Sequence, residues 1–126
     1  MKYLALIYAS DRDWAAVPEE ERQAWYAEYR AFADETGAAG KLLDGGELQP
    51  AATATTVRVR GEETVVTDGP FVETREQLGG YFVLDCDSLD EAVALAAKIP
   101  GARHGTVEVR PGHVDAEAEH EEEDAA

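Results

Sequence analysis

A single cysteine, Cys86, stands in 126 residues. It rules out an internal disulfide and suits a reducing cytoplasm, where thiols stay unpaired. No apolar run approaches the roughly 18 residues that a membrane-spanning helix requires. The apolar start, Met1 to Tyr8, is short and gives way to Ser10-Asp11-Arg12-Asp13 without a small-residue cleavage site, so it reads as a first strand and not a signal peptide. Histidine is scarce: His104, His113 and His120 are the only three, and no pair has the spacing of a helical metalloenzyme motif. Neither Gly45-Gly46 nor Gly79-Gly80 sits in a GxxxxGKS or GxxxxGKT phosphate loop. No metal and no cofactor are expected.

Bases are few as well. The chain holds 27 Asp and Glu against 11 Lys and Arg, a net charge of −16. Seven of those acids (Asp115, Glu117, Glu119, Glu121, Glu122, Glu123 and Asp124) follow Gly112, where no Lys or Arg occurs, so 20 acids against 11 bases, or −9, remain before it. Such a surface repels phosphate backbones and anionic bilayers, and neither a nucleic acid nor a membrane is an expected partner. Residues 112–126 cannot bury enough apolar surface to offset their ordering entropy and are expected to form a disordered acidic tail. Residues 1–111 are then one domain.

Within that domain the patterning is informative. Lys2 to Ala9 reads as a strand whose Tyr3, Leu4, Leu6, Ile7 and Tyr8 follow no clean alternation, which predicts cover on both faces. Trp14, in the next loop, is expected to cover an edge of the core. Pro18 suits a first helical turn, Glu19, Glu20 and Glu21 place negative charge at the positive end of the helix dipole, and Trp25, Tyr29, Phe32 and Ala33 recur at helical spacing. The helix predicted here runs from Pro18 to Thr36, with Gly37 and Gly40 as stop signals. Lys41 to Leu48 reads as a short strand interrupted by Gly45-Gly46. Thr55 to Arg60 and Thr64 to Thr67 form a hairpin, and Gly80 to Cys86 is the next strand. Ser88-Leu89-Asp90-Glu91 is a capping box that opens a second helix, with Leu89, Val93, Ala96 and Ile99 available to a core. Gly105 to Pro111 is the last strand. The order is a ferredoxin-like βαββαβ pattern of the α+β class with an added β-hairpin. Right-handed crossovers put both helices on one side of such a sheet. The other face then needs a second sheet, and a homodimer with the segment from Asp68 to Gly80 near its rim is expected.

The densest motif is Asp68-Gly69-Pro70-Phe71, followed by Glu73-Thr74-Arg75-Glu76-Gln77-Leu78-Gly79-Gly80. Asp68 has the chemistry to accept hydrogen bonds from the turn backbone, Gly69 tolerates angles closed to other residues, and Phe71 offers a large apolar anchor. With the late Val107-Glu108-Val109-Arg110-Pro111, these residues resemble the DGPF-type branch of the YCII-related family, over nearly everything from Met1 to Pro111. The resemblance implies a dimeric α+β barrel. It also implies a small-molecule-binding or accessory role, since many relatives of this branch look like partners of a regulatory system built on alternative sigma factors. Some YCII-related proteins use a histidine with an aspartate in the cleft between sheet and helix. No histidine precedes His104 here, so the first helix cannot supply that residue.

Two functional readings follow. In one the protein binds a small molecule or acts as an accessory partner, with Tyr8, Phe71, Tyr81 and Arg110 as candidate ligand contacts. In the other it is a carboxylate-based lyase or isomerase acting on a small organic substrate, with Asp68 or Glu73 as the proton-transfer group beside aromatic walls (Phe71, Tyr81, Trp25). Against that, Asp68 has a sufficient role as a turn cap, and Glu73, Arg75 and Glu76 as surface or interface ion pairs. Cys86, between Asp85 and Asp87, is expected to have a raised thiol pKa and a structural role.

Overall fold

The computed structural model describes residues 1–10 and 16–113. Strand β1 (Lys2–Ala9) leads into helix α1 (Glu19–Ala38), β2 (Leu42–Glu47), the hairpin β3 (Thr55–Arg60) and β4 (Glu63–Asp68), β5 (Gln77–Asp85), helix α2 (Leu89–Ala96), a short 3-10 turn (Pro100–Arg103) and β6 (Thr106–Pro111). The main sheet is antiparallel in the order β2-β5-β1-β6, and β3-β4 stands as a separate ribbon. This is the ferredoxin-like α+β arrangement with an added hairpin that the element order predicts. Trp14 and nearly all of the tail, residues 114–126, lie outside the described residues. Among the described residues no helix is long and apolar enough to cross a membrane.

Alternation along β1 decides the two faces of the sheet. Tyr3, Ala5 and Ile7 are buried, and with Leu84 of β5 they pack against Phe32 of α1 and Ala92 and Ala96 of α2. Both helices therefore cover the same face. Full burial of a side chain such as Leu84 or Ile99 is worth about 1.5–3 kcal/mol. Leu4, Leu6 and Tyr8 point the other way, beside Val83 and Tyr81 of β5, and are only half-buried.

Local chemistry sets the element ends. α1 runs through Gly37, and it is Gly40, at φ 73°, that turns the chain. Gly61, at φ 62°, begins the two-residue hairpin loop, as a type II′ turn requires. At α2 the Glu91 N–H donates to Ser88 Oγ (3.2 Å), and the Glu91 carboxylate accepts from the Asp87 N–H (3.0 Å) and pairs with Lys41 Nζ (3.1 Å). That ion pair fastens α2 to the start of β2. Those hydrogen bonds hold the Glu91 carboxyl below its usual range, the Asp87 N–H first and Lys41 second, and raise Lys41 in return. Burial pushes the Cys86 thiol up, with Glu91 adding to it, so desolvation rather than the sequence neighbours dominates.

Of the four residues expected to give α2 and its end to the core, Ala96 and Ile99 are buried and Leu89 and Val93 are not. Ala92 and Ala96 face the core, while Leu89 and Val93 are 52% and 51% exposed. Small residues let the short helix sit close to the sheet, and Ile99, beyond its end, joins the same core as expected.

Candidate cleft between the first helix and the sheet

The apolar stripe of α1 is only partly core. Phe32 is buried, but Tyr29 and Trp25, one and two turns earlier, are half-buried and rise out of the packed region. Their rings meet edge to face at 5.3 Å between centroids, and Tyr29 stacks on Phe82 at 6.3 Å. Beneath them lies a floor of glycine from β2 and β5. A Cβ on Gly45 would fall 2.5 Å from the Phe82 ring, and one on Gly46 would fall 3.1 Å from the Tyr81 ring. Each glycine of the edge strand thus leaves room for the aromatic residue paired with it, one on each face of the sheet. What reads in sequence as an interruption of β2 is a fitted pairing.

A bulge aims the acid of this site. Leu42 pairs with Leu84 and Asp44 with Val83, so Leu43 is an extra residue. The inserted residue shifts the alternation of β2 and turns Glu47 to the helix side, where bulges are known to re-aim side chains. There Glu47 Oε1 accepts from the Tyr26 hydroxyl at 3.3 Å. The far wall comes from the other end of the chain. Gly101 donates its N–H to Tyr29 Oη (3.1 Å), a contact that a Cβ at 2.7 Å from that oxygen would obstruct. His104 then sets its ring 5.3 Å from Trp25, tilted by 55°. An ion pair between Arg103 Nη2 and Glu28 Oε1 (2.7 Å) locks this turn to α1.

The result is a cleft of about 450 Å³ lined by Trp25, Tyr26, Tyr29, Arg30, Glu47, Phe82 and His104 over the glycine floor. Burial holds the Tyr29 phenol above its usual pKa; the Gly101 N–H opposes this and the Glu47 charge adds to it, so Tyr29 stays a neutral hydroxyl near pH 7. The arrangement offers flat π surfaces, a carboxylate acceptor, a guanidinium and an imidazole. Among the described residues no group of three or more His, Cys, Asp or Glu could hold a metal ion.

The residues singled out from sequence fall elsewhere. Tyr8 and Phe71 line a larger depression of about 810 Å³, together with Leu48, Pro50, Pro70 and Leu78. Tyr8 belongs to the helix-free face of the sheet, so this hollow lies on the opposite side from the cleft. Phe71 is 71% exposed, with the Arg58 guanidinium 5.0 Å above its ring. Tyr81 and Arg110 also lie on the helix-free face, Tyr81 opposite Leu6 and Arg110 opposite Leu4. Asp68 and Glu73 are exposed, and among the described residues neither carboxylate takes a hydrogen bond or ion pair. The turn is held instead by the Gly69 N–H to Ala54 O (2.7 Å) and by Thr56 Oγ1 to Gly69 O (2.8 Å), with Gly69 at φ 101°. Glu76 accepts from Thr106 Oγ1 at 2.9 Å, and Gln77 Nε2 ties the loop to Thr74 O at 3.0 Å.

Sequence reasoning placed Trp25 and Tyr29 on the apolar stripe of α1, named Trp25 also as an aromatic wall but beside Asp68 or Glu73, and missed Tyr26, Arg30, Glu47 and His104 as a group. Two signals were available: the upper half of the α1 stripe carries an indole N–H and a phenol, and an acid follows a double glycine.

A family model described as YCII-related domain matches residues 1–112. An uncharacterized protein of Rhizobium meliloti is 39% identical over 113 residues, covering 88% of this chain and 91% of that one. Among solved structures, a 5-chloro-2-hydroxyhydroquinone dehydrochlorinase of Burkholderia phenoliruptrix, determined with 2,5-dihydroxybenzoquinone, is similar at a TM-score of 0.48 and 18% identity, over 93% of this chain and 98% of that one.

Proposed function

As the chain belongs to the YCII-related domain family, we propose that it is a cytoplasmic small-molecule-binding protein of the family's DGPF-type branch, with its ligand in the cleft between α1 and the sheet. One observation carries this reading. Four rings (Trp25, Tyr29, Phe82 and His104) converge with Glu47 and Arg30 on a floor kept clear by glycine. A flat organic molecule fits such walls better than a chain-like one, because π surfaces reward stacked or edge-on rings. The role is an accessory one, reporting the ligand to a regulatory system built on an alternative sigma factor.

The working form is a homodimer. Leu4, Leu6, Tyr8, Tyr81 and Val83 form an apolar helix-free face that a monomer would leave in water. A second copy, related by a two-fold axis, covers it with the same patch and makes the dimeric α+β barrel. Asp68, Glu73 and Phe71 then belong to the rim of the paired sheets. Sedimentation equilibrium at low micromolar concentration checks this; a stable, soluble monomer there contradicts it.

A lyase or isomerase remains as a second reading, favoured by Glu47 and His104 lining the same cleft. Its proton-transfer groups are these two, in place of Asp68 and Glu73, which lie outside the cleft lining. Ligand-observed NMR with resorcinol, a neutral planar probe, tests the site. Saturable binding that weakens in both Trp25→Ala and His104→Ala supports it, and binding unchanged in both removes it.

A further inference from the structure

The cleft is built with opposite charges at separate places, and this narrows the class of ligand. Arg30 lines it, yet among the described residues its guanidinium makes no ion pair or hydrogen bond. That is unexpected in so acidic a chain, and more so because Asp34, one helical turn on, stands at ion-pairing spacing. That pairing is not made, and Arg30 remains an exposed cation on the lining of the cleft. Guanidinium groups recognise carboxylates through two parallel N–H bonds. Glu47, which lines the same cleft from β2, accepts one long bond from Tyr26 through Oε1, and its Oε2 has no partner among the described residues.

A ligand must answer both groups. A purely anionic ring would bring a negative charge toward Glu47, and a ring without a donor would strip water from that carboxylate and return nothing. We infer that the cleft takes an aromatic carboxylate bearing a hydrogen-bond donor on the edge opposite its acid group: the carboxylate on Arg30, the ring among Trp25, Tyr29, Phe82 and His104, the donor on Glu47. This rests on the proposal that the cleft is the ligand site, and adds the substrate class.

The experiment compares dissociation constants of 4-hydroxybenzoate, benzoate and resorcinol by titration calorimetry and ligand-observed NMR. The native protein should prefer 4-hydroxybenzoate to resorcinol by about tenfold or more, the scale of one charge-assisted pair. Arg30→Gln should bring those two constants together, Arg30→Lys should restore part of the gap, and Glu47→Gln should erase the preference for 4-hydroxybenzoate over benzoate. Melting temperatures of the variants, whose substituted side chains are at the surface, report that the fold is kept. Resorcinol binding as well as 4-hydroxybenzoate to the native protein, or a gap that survives Arg30→Gln, overturns the assignment and leaves the cleft as a ligand site. Binding of none of the three probes removes both.

Discussion

The four-stranded sheet shows two surroundings to the same strands. On one face Tyr3, Ala5, Ile7 and Leu84 are buried under both helices. On the other, Leu4, Leu6, Tyr8, Tyr81 and Val83 are just as apolar and only half-buried. Along β1 and β5 composition does not distinguish the faces, although Asp44, Glu108 and Arg110 of the flanking strands add charge to the bare one; what differs is what stands over them. The helix face is itself divided, closed where Phe32, Ala96 and Ile99 meet and open where Trp25 and Tyr29 span glycine. The proposed ligand cleft lies where this covering stops short, and the bare face is the surface proposed to meet a second copy.

The sharpest test of that contrast uses neighbours on β5. Leu84→Ala opens a cavity in a filled core and should cost about 2–5 kcal/mol in urea unfolding, whereas Val83→Ala should cost less and in a way that depends on protein concentration. Equal, concentration-independent losses would erase the distinction between the faces. Leu6→Glu probes the bare face alone. It should split the dimer, because an unpaired charge cannot be solvated in a closed apolar seam, while the helix-side core keeps the monomer folded by circular dichroism. A dimer that tolerates the charge would place the interface elsewhere.

Much of this was legible in the sequence, for a physical reason. β1, α1, the hairpin and the Ser88 cap follow from local periodicity and local hydrogen bonding, which a short stretch of chain specifies by itself. The face of α2 was legible only in part: Ala96 and Ile99 are buried as expected, but the approach of the helix to the sheet selects Ala92 and leaves the larger Leu89 and Val93 outside. The cleft was least legible. Glu47 depends on the bulge at Leu43, and a bulge exists only once β2 is paired with β5. His104 reaches Trp25 across 79 positions through a turn secured by Arg103 and Glu28. Asp68 was read either as a turn cap or as a proton-transfer group, and the turn is held by the Gly69 backbone and Thr56 instead of its carboxylate.

Smaller effects follow from the ends of elements. Gly69→Ala forces a residue with a Cβ into φ 101° and should destabilise by roughly 1 kcal/mol, or more, in thermal melts; an unchanged melting temperature would mean that the turn relaxes. Glu91, which helps hold α2 over the covered face, has a depressed carboxyl pKa when folded. Its contribution is therefore present above the unfolded value, about 4.5, and is lost as pH falls through the folded value. Between neutrality and pH 3 the native protein should lose more stability than Glu91→Gln does, and parallel pH profiles would contradict this.

The account turns on which side of the sheet receives a ligand. Backbone amide and indole shifts of the labelled protein, followed as 4-hydroxybenzoate is added, decide between the two hollows. The account predicts changes concentrated at Trp25, Gly46, Glu47, Gly80, Gly101 and His104. Changes concentrated at Tyr8, Thr55, Phe71 and Leu78 would contradict it.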